Sequence, residues 1–146
     1  MAMWQFEYMI IPKGRRLEDY LEEQLICWKG IEITGDSIIK LNELLPKEKG
    51  WSDDIHQYGN SNSTCIEISY EDGDIDEISC RLDLRSLSKV LLSKIVEYIK
   101  EIKGEVLYKG DIYEANMETL LDLMRNSEEA KFCKDPKDYF AQMDKK

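Results

Sequence analysis

Apolar positions along the chain recur with two periods, and the switches between them mark the elements. From Trp4 the pattern alternates: Trp4, Phe6 and Tyr8 interleave with Gln5 and Glu7, and the run closes in Met9-Ile10-Ile11-Pro12. Side chains two apart share one face of a strand, so this stretch reads as a strand stopped by proline. Leu17, Tyr20, Leu21, Leu25 and Trp28 then fall at helical spacing, with Glu18, Asp19, Glu22 and Glu23 opposite them and Gly30 behind, which predicts a helix. Ile31 to Thr34 is a short strand candidate. Asp36 or Ser37 is expected to cap a second short helix through Ile38, Leu41, Leu44 and Leu45, ended by Pro46. Lys47 to Asn62 shows the least regular pattern.

A β-hairpin is the clearest prediction. Ile66, Ile68 and Tyr70 share one face, as do Ile78, Cys80, Leu82 and Leu84 beyond Glu71-Asp72-Gly73-Asp74. Both apolar sets are even-numbered, so paired positions must sum to an even number, which needs a loop of odd length. A three-residue loop, Glu71-Asp72-Gly73 with the glycine left-handed, meets that need. Ser88 then starts an amphipathic helix with Leu91, Leu92, Ile95, Tyr98, Ile99 and Ile102 inward and Gly104 as its C-cap. A strand over Glu105–Lys109 follows. Asn116 is expected to cap a helix carrying Met117, Leu120, Leu121 and Met124, and Asp135-Pro136 to open a last one with Tyr139, Phe140 and Met143. Runs of strands interleaved with helices in this order predict an α+β fold: an antiparallel or mixed sheet with a central hairpin, its helices packed mainly on one face. The 146 residues are read as one globular domain, residues 1–146.

Charge adds a direction to this picture. The net charge is −10, and it is uneven: residues 51–86 hold nine acids against Arg81 and Arg85 alone. Such a chain is repelled by phosphate backbones and anionic membranes, so neither nucleic acid nor membrane is an expected partner; a basic protein is. The opening residues lack a basic stretch followed by an apolar one, and no run approaches a membrane span. Cys27, Cys65, Cys80 and Cys133 have no Cys-x-x-Cys spacing. Four free thiols in a cytoplasmic protein are the expectation, with Cys65 and Cys80 on opposite faces of the hairpin.

The residues with chemistry in them fall in the acidic segment. Arg81, Asp83 and Arg85 stand at period two, and two guanidiniums beside a carboxylate could grip an anion; cross-strand pairing with Glu67 is the structural alternative. Asp53, Asp54 and His56, with Asp83, have types suited to a small hydrolase or metal enzyme, yet no nucleophile frame or second ligand cluster accompanies them. Asp72-Gly73-Asp74-Ile75-Asp76 imitates a calcium loop and fails where Glu77 replaces the needed glycine. Neither a metal nor any other cofactor is expected. The candidate contact surface comprises Trp51, Asp53, Asp54, Tyr58, Glu71, Asp72, Asp74, Asp76 and Glu77, although acids at a hairpin tip also guard an edge against aggregation.

At Trp51-Ser52-Asp53-Asp54, Gln57-Tyr58-Gly59-Asn60 and Ile78-Ser79-Cys80-Arg81-Leu82-Asp83-Leu84-Arg85 the chain resembles small bacterial proteins of the immunity kind from polymorphic toxin systems. The resemblance spans residues 45–90. It implies a cytoplasmic antidote that binds one cognate toxin and blocks its active site, and it assigns no functional residue. An inhibitor of a basic toxin or nuclease is therefore the leading expectation, ahead of the enzyme and the anion sensor.

Overall fold

The computed structural model describes residues 4–14, 28, 31, 33–48, 52–127 and 129. Seven strands, β1 (Gln5–Pro12), β2 (Lys47–Glu48), β3 (Ile55–Gly59), β4 (Cys65–Glu71), β5 (Asp74–Asp83), β6 (Gly104–Tyr108) and β7 (Asp111–Tyr113), form one sheet. Their order is β2-β3-β4-β5-β1-β6-β7, with every neighbour antiparallel. Among the described residues three helices accompany them: α1 (Gly35–Leu44), α2 (Lys89–Glu101) and α3 (Met117–Arg125). The fold is α+β with an antiparallel sheet, and the predicted hairpin sits in its middle.

Even-numbered side chains build the core. Ile66 lies opposite Cys80 and Ile68 opposite Ile78, while Phe6, Tyr8 and Ile10 of β1 face Leu82, Cys80 and Ile78. All are buried, each large aliphatic contributing roughly 1.5–3 kcal/mol by leaving water. Tyr58 on β3 extends this face opposite Ile66, and Val106 on β6 extends it opposite Ile10. Helix α2 covers it with Leu92, Ile95, Val96, Tyr98 and Ile99, and α1 and α3 pack beside α2. Ser88 and Asn116 cap α2 and α3 as their spacing predicts, accepting from Leu91 N at 3.0 Å and Thr119 N at 2.7 Å.

Several expectations change. The hairpin loop has two residues, not three: Glu71 pairs with Asp74 across Asp72 and Gly73, both at positive φ (52° and 84°). A two-residue loop alone would sum to an odd number and turn Ile78 outward. The register shifts between Ser69 and Tyr70, since Tyr70 faces Ile75 while Ser69 faces Glu77. Asp76 is thus the extra residue of a bulge, and it restores the even sum that the core demands. The stretch read as irregular holds two strands among its described residues, β2 and β3. Their pattern hid the strand: Gln57 is buried, and His56 on the core face is polar.

No strand forms at Ile31, Ile33 and Thr34. Thr34 instead caps α1, its Oγ1 accepting from Ser37 N at 3.2 Å, so neither Asp36 nor Ser37 is the cap. After α2 the left-handed residue is Lys103 (φ 58°) rather than Gly104. Gly104 opens β6, and a Cβ there would meet Ile10 Cγ2 at 2.9 Å. The turn Lys109-Gly110, at φ 48° and 84°, leads into β7, which the pattern did not reveal. The helices expected from Leu17 and from Asp135, together with Trp51, Cys27 and Cys133, lie outside the described residues. Trp28 is described: its Nε1 donates to the Ile10 carbonyl at 2.8 Å. Cys65 and Cys80 are both buried free thiols. Cys65 faces Arg81 and Cys80 faces Ile66, so they stand on opposite sides of the sheet as parity requires. Burial raises the Cys80 thiol pKa to about 12.

Candidate functional site

The antiparallel register gathers the acidic residues at one end of the sheet. Ile55 pairs with Ser69, and the Tyr70 amide donates to the Asp54 carbonyl at 2.8 Å. This lays the Ser52–Asp54 turn against the end of β4, from which the hairpin turn emerges. Ser52 Oγ accepts from Asp54 N at 3.3 Å and holds that turn. Asp53, Asp54, Glu71, Asp72, Asp74 and Glu77 are exposed and Asp76 is half-buried. None of the seven is ion-paired with a described residue. Partial burial, followed by the charge of Asp76, raises the Glu77 pKa. Seven carboxylates from two separate stretches therefore form one acidic end.

Tyr58, expected in this surface, does not belong to it. It is 2% exposed and part of the core, because its strand register points it at Ile66. His56 shares that core-facing side at the sheet's margin, with its ring 4.6 Å from Tyr70 and its Nδ1 3.4 Å from Lys47 Nζ. Burial, then the Lys47 charge, lowers its pKa below 6.5.

The Arg81, Asp83 and Arg85 row resolves into two separate arrangements. Arg81 is ion-paired with Glu67 across the strands and lies 4.0 Å from Glu7 on the other side, which is the cross-strand alternative. Strand β5 ends at Asp83, so Arg85 belongs to the following turn and folds back. Its Nε and Nη2 each donate to the Asp83 carboxylate at 3.0 Å, and its backbone N donates at 2.9 Å. Asp83 is 2% exposed. Burial alone would raise its pKa, but the Arg85 bonds outweigh that and hold it below 3.8.

Asp83 anchors the sheet's other end, which pattern reading missed. Gln5 pairs with Asp83 and is buried; its Nε2 donates to the Ser61 and Ser63 carbonyls at 2.9 and 2.6 Å. Trp4 Nε1 donates to the Asn62 carbonyl at 3.0 Å, and the Arg85 guanidinium stacks 3.9 Å over the Trp4 ring. Thr64 Oγ1 accepts from Asp83 N at 3.0 Å. The loop 60–64 is thereby clamped to β1 and β5. Gln5 is a polar position in an alternating run and Thr64 ends a polar loop, so nothing in the pattern distinguishes them from solvent-facing residues. Asp83 and the Asp53, Asp54 and His56 group lie at opposite ends of the sheet and do not converge on one reaction centre.

Among the described residues no three His, Cys, Asp or Glu side chains cluster as a metal site requires, and no helix is long and apolar enough to cross a membrane. No protein-family model, curated protein or solved structure matches the chain.

Proposed function

We propose that this protein is a non-catalytic binding module whose acidic sheet end receives a basic protein partner, acting in the cytoplasm as an immunity-type inhibitor of a toxin or nuclease. The observation that supports this reading is the meeting of Asp53 and Asp54 with Glu71, Asp72, Asp74, Asp76 and Glu77 at one end of the sheet, without described ion-pair partners. The two other charged constellations are internally neutralised, Arg81 by Glu67 and Arg85 by Asp83. Exposed carboxylates on a chain of net charge −10 steer a cationic partner during diffusion and speed its association.

The test is association kinetics against a panel of basic bacterial nucleases, comparing the native chain with the variant carrying Asp72→Asn, Asp74→Asn and Asp76→Asn. The expected outcome is tight binding to one nuclease. Association should slow roughly tenfold in the variant and lose most of its salt dependence, because steering rates span about 10–1,000-fold. No binding across the panel, or equal rates for both chains, sinks the reading.

A further inference from the structure

Away from the acidic end, the helical layer has a different character. Two grooves, of about 420 and 400 Å³, flank α2: one against α1 and the other reaching Met117 of α3. Their charged lining is balanced, with Lys40, Lys89 and Lys94 against Glu43, Glu97 and Glu101. Among the described residues the large hydrophobic side chains that stand out into solvent are Ile39 on α1 and Val90 on α2, 58% and 57% exposed. On a chain of net charge −10, a locally neutral face bearing the exposed apolar groups is where a like-charged copy meets least repulsion.

The placement of these groups is self-complementary. Helix α2 begins beside Asp83 and Leu87 and ends near Gly104, which pairs with Pro12 at the acidic end. Helix α1 runs the other way, since its Lys40 is ion-paired with Glu101 while Leu45 packs near Gly59 at the clamped end. Ile39, next to the groove-lining Lys40 but outside the lining itself, therefore lies level with Glu101, and Val90 lines the groove toward its opposite end. The midpoint between Lys94 and Glu97 is about 8 Å along α2 from Val90 and about 8 Å from Glu101, at 1.5 Å per residue.

A two-fold axis through that midpoint brings Val90 of one copy to the level of Ile39 of the other. It also sets Lys94 against Glu97 twice. We propose that this helical face is an isologous docking surface for a second copy of the chain, leaving the acidic end free.

Analytical ultracentrifugation from micromolar to millimolar protein tests this. The native chain should shift toward twice its 17.1 kDa mass. The Val90→Glu, Ile39→Glu variant should stay at the single-chain mass while keeping its far-ultraviolet circular dichroism. Lys94→Glu alone should weaken the dimer at least tenfold, and adding Glu97→Lys should restore it, because the swapped charges again pair across the axis. A native chain that remains at single-chain mass throughout overturns the proposal. So does a dimer that survives Val90→Glu, Ile39→Glu, or a charge swap that restores nothing.

Discussion

The two ends of the sheet treat charge in opposite ways. At the clamped end one carboxylate, Asp83, is buried and receives three hydrogen bonds from Arg85; around it Gln5, Trp4 and Thr64 tie down a loop of small polar residues. At the acidic end all the carboxylates but the half-buried Asp76 stand in solvent, and none has a described ion-pair partner. Both ends belong to the same two strands, β4 and β5. A buried charge is tolerable only when satisfied, and removing its partner is costly. An exposed charge contributes little to stability and projects its field outward. One end thus holds the fold together, and the other is free to serve recognition.

Glycine substitutions separate the ends most sharply. Gly59 closes β3 at φ 90°, and a Cβ there would lie 2.4 Å from the Thr64 carbonyl oxygen. Gly73 at the acidic turn has φ 84° and open space around it. Gly59→Ala is expected to destabilise by more than about 3 kcal/mol, since strain and a backbone clash add. Gly73→Ala has only the left-handed penalty, roughly 1 kcal/mol. Urea unfolding of both variants checks this; equal midpoints would erase the difference between the ends.

Asp83→Ala comes next, at about 2–4 kcal/mol, because it strips a buried network and leaves Arg85 without its carboxylate. The pH dependence gives the sign. The folded pKa of Asp83 lies below the ordinary 3.8, so its stabilisation is complete above the unfolded value and is lost as pH falls through the folded one. Acid titration of stability below pH 4 should therefore be shallower in the Asp83→Ala variant than in the native chain.

Glu77, on the same strand, gives the smallest effect and the opposite sign. Its folded pKa is raised above 4.5 by partial burial and Asp76, so the folded state binds its proton more readily than the unfolded chain does. Its contribution is most favourable below the unfolded value and declines as pH rises through the folded one. Glu77→Gln should leave the chain equal or a few tenths of a kcal/mol more stable at pH 7, a size set by its solvent exposure. A loss of more than about 1 kcal/mol would mean that the acidic end contains a structural contact after all.

The sequence made the interior legible and left its margins obscure, for a physical reason. Ile66, Ile68, Ile78, Cys80 and Leu82 are recognisable because burial selects side chains at a strand's period of two, and the helical period of about 3.6 revealed the helix from Ser88 in the same way. Parity even required an odd offset in the hairpin. It could not say whether that offset came from the loop or, as here, from the bulge at Asp76. Gln57 and Gln5 escaped because a buried amide is written in the same alphabet as an exposed one, and its satisfaction by Gly59 or Ser63 carbonyls is a three-dimensional matter. For the candidate site, the acidity of residues 51–86 was visible, but the division of its members was not. Only the fold reveals that Asp83 is buried beneath Arg85 while Asp72 stays exposed, and only register reveals that Tyr58 belongs with the core.

The position of β1 has a consequence for how the chain comes together. Strand β1 precedes in the chain both strands that flank it, β5 and β6, so its hydrogen-bonding partners are synthesised long after it. The β3-β4-β5 meander joins near neighbours and can zip as soon as it emerges, whereas inserting β1 closes long loops, which is the slow kind of step. Until Gly104–Tyr108 emerges, Phe6, Tyr8 and Ile10 lie on a strand with an unpaired edge, a template for pairing with other chains. Nascent chains halted before β6 are thus the species most prone to aggregate, and a chaperone that engages Gln5–Pro12 would act where the fold is most exposed.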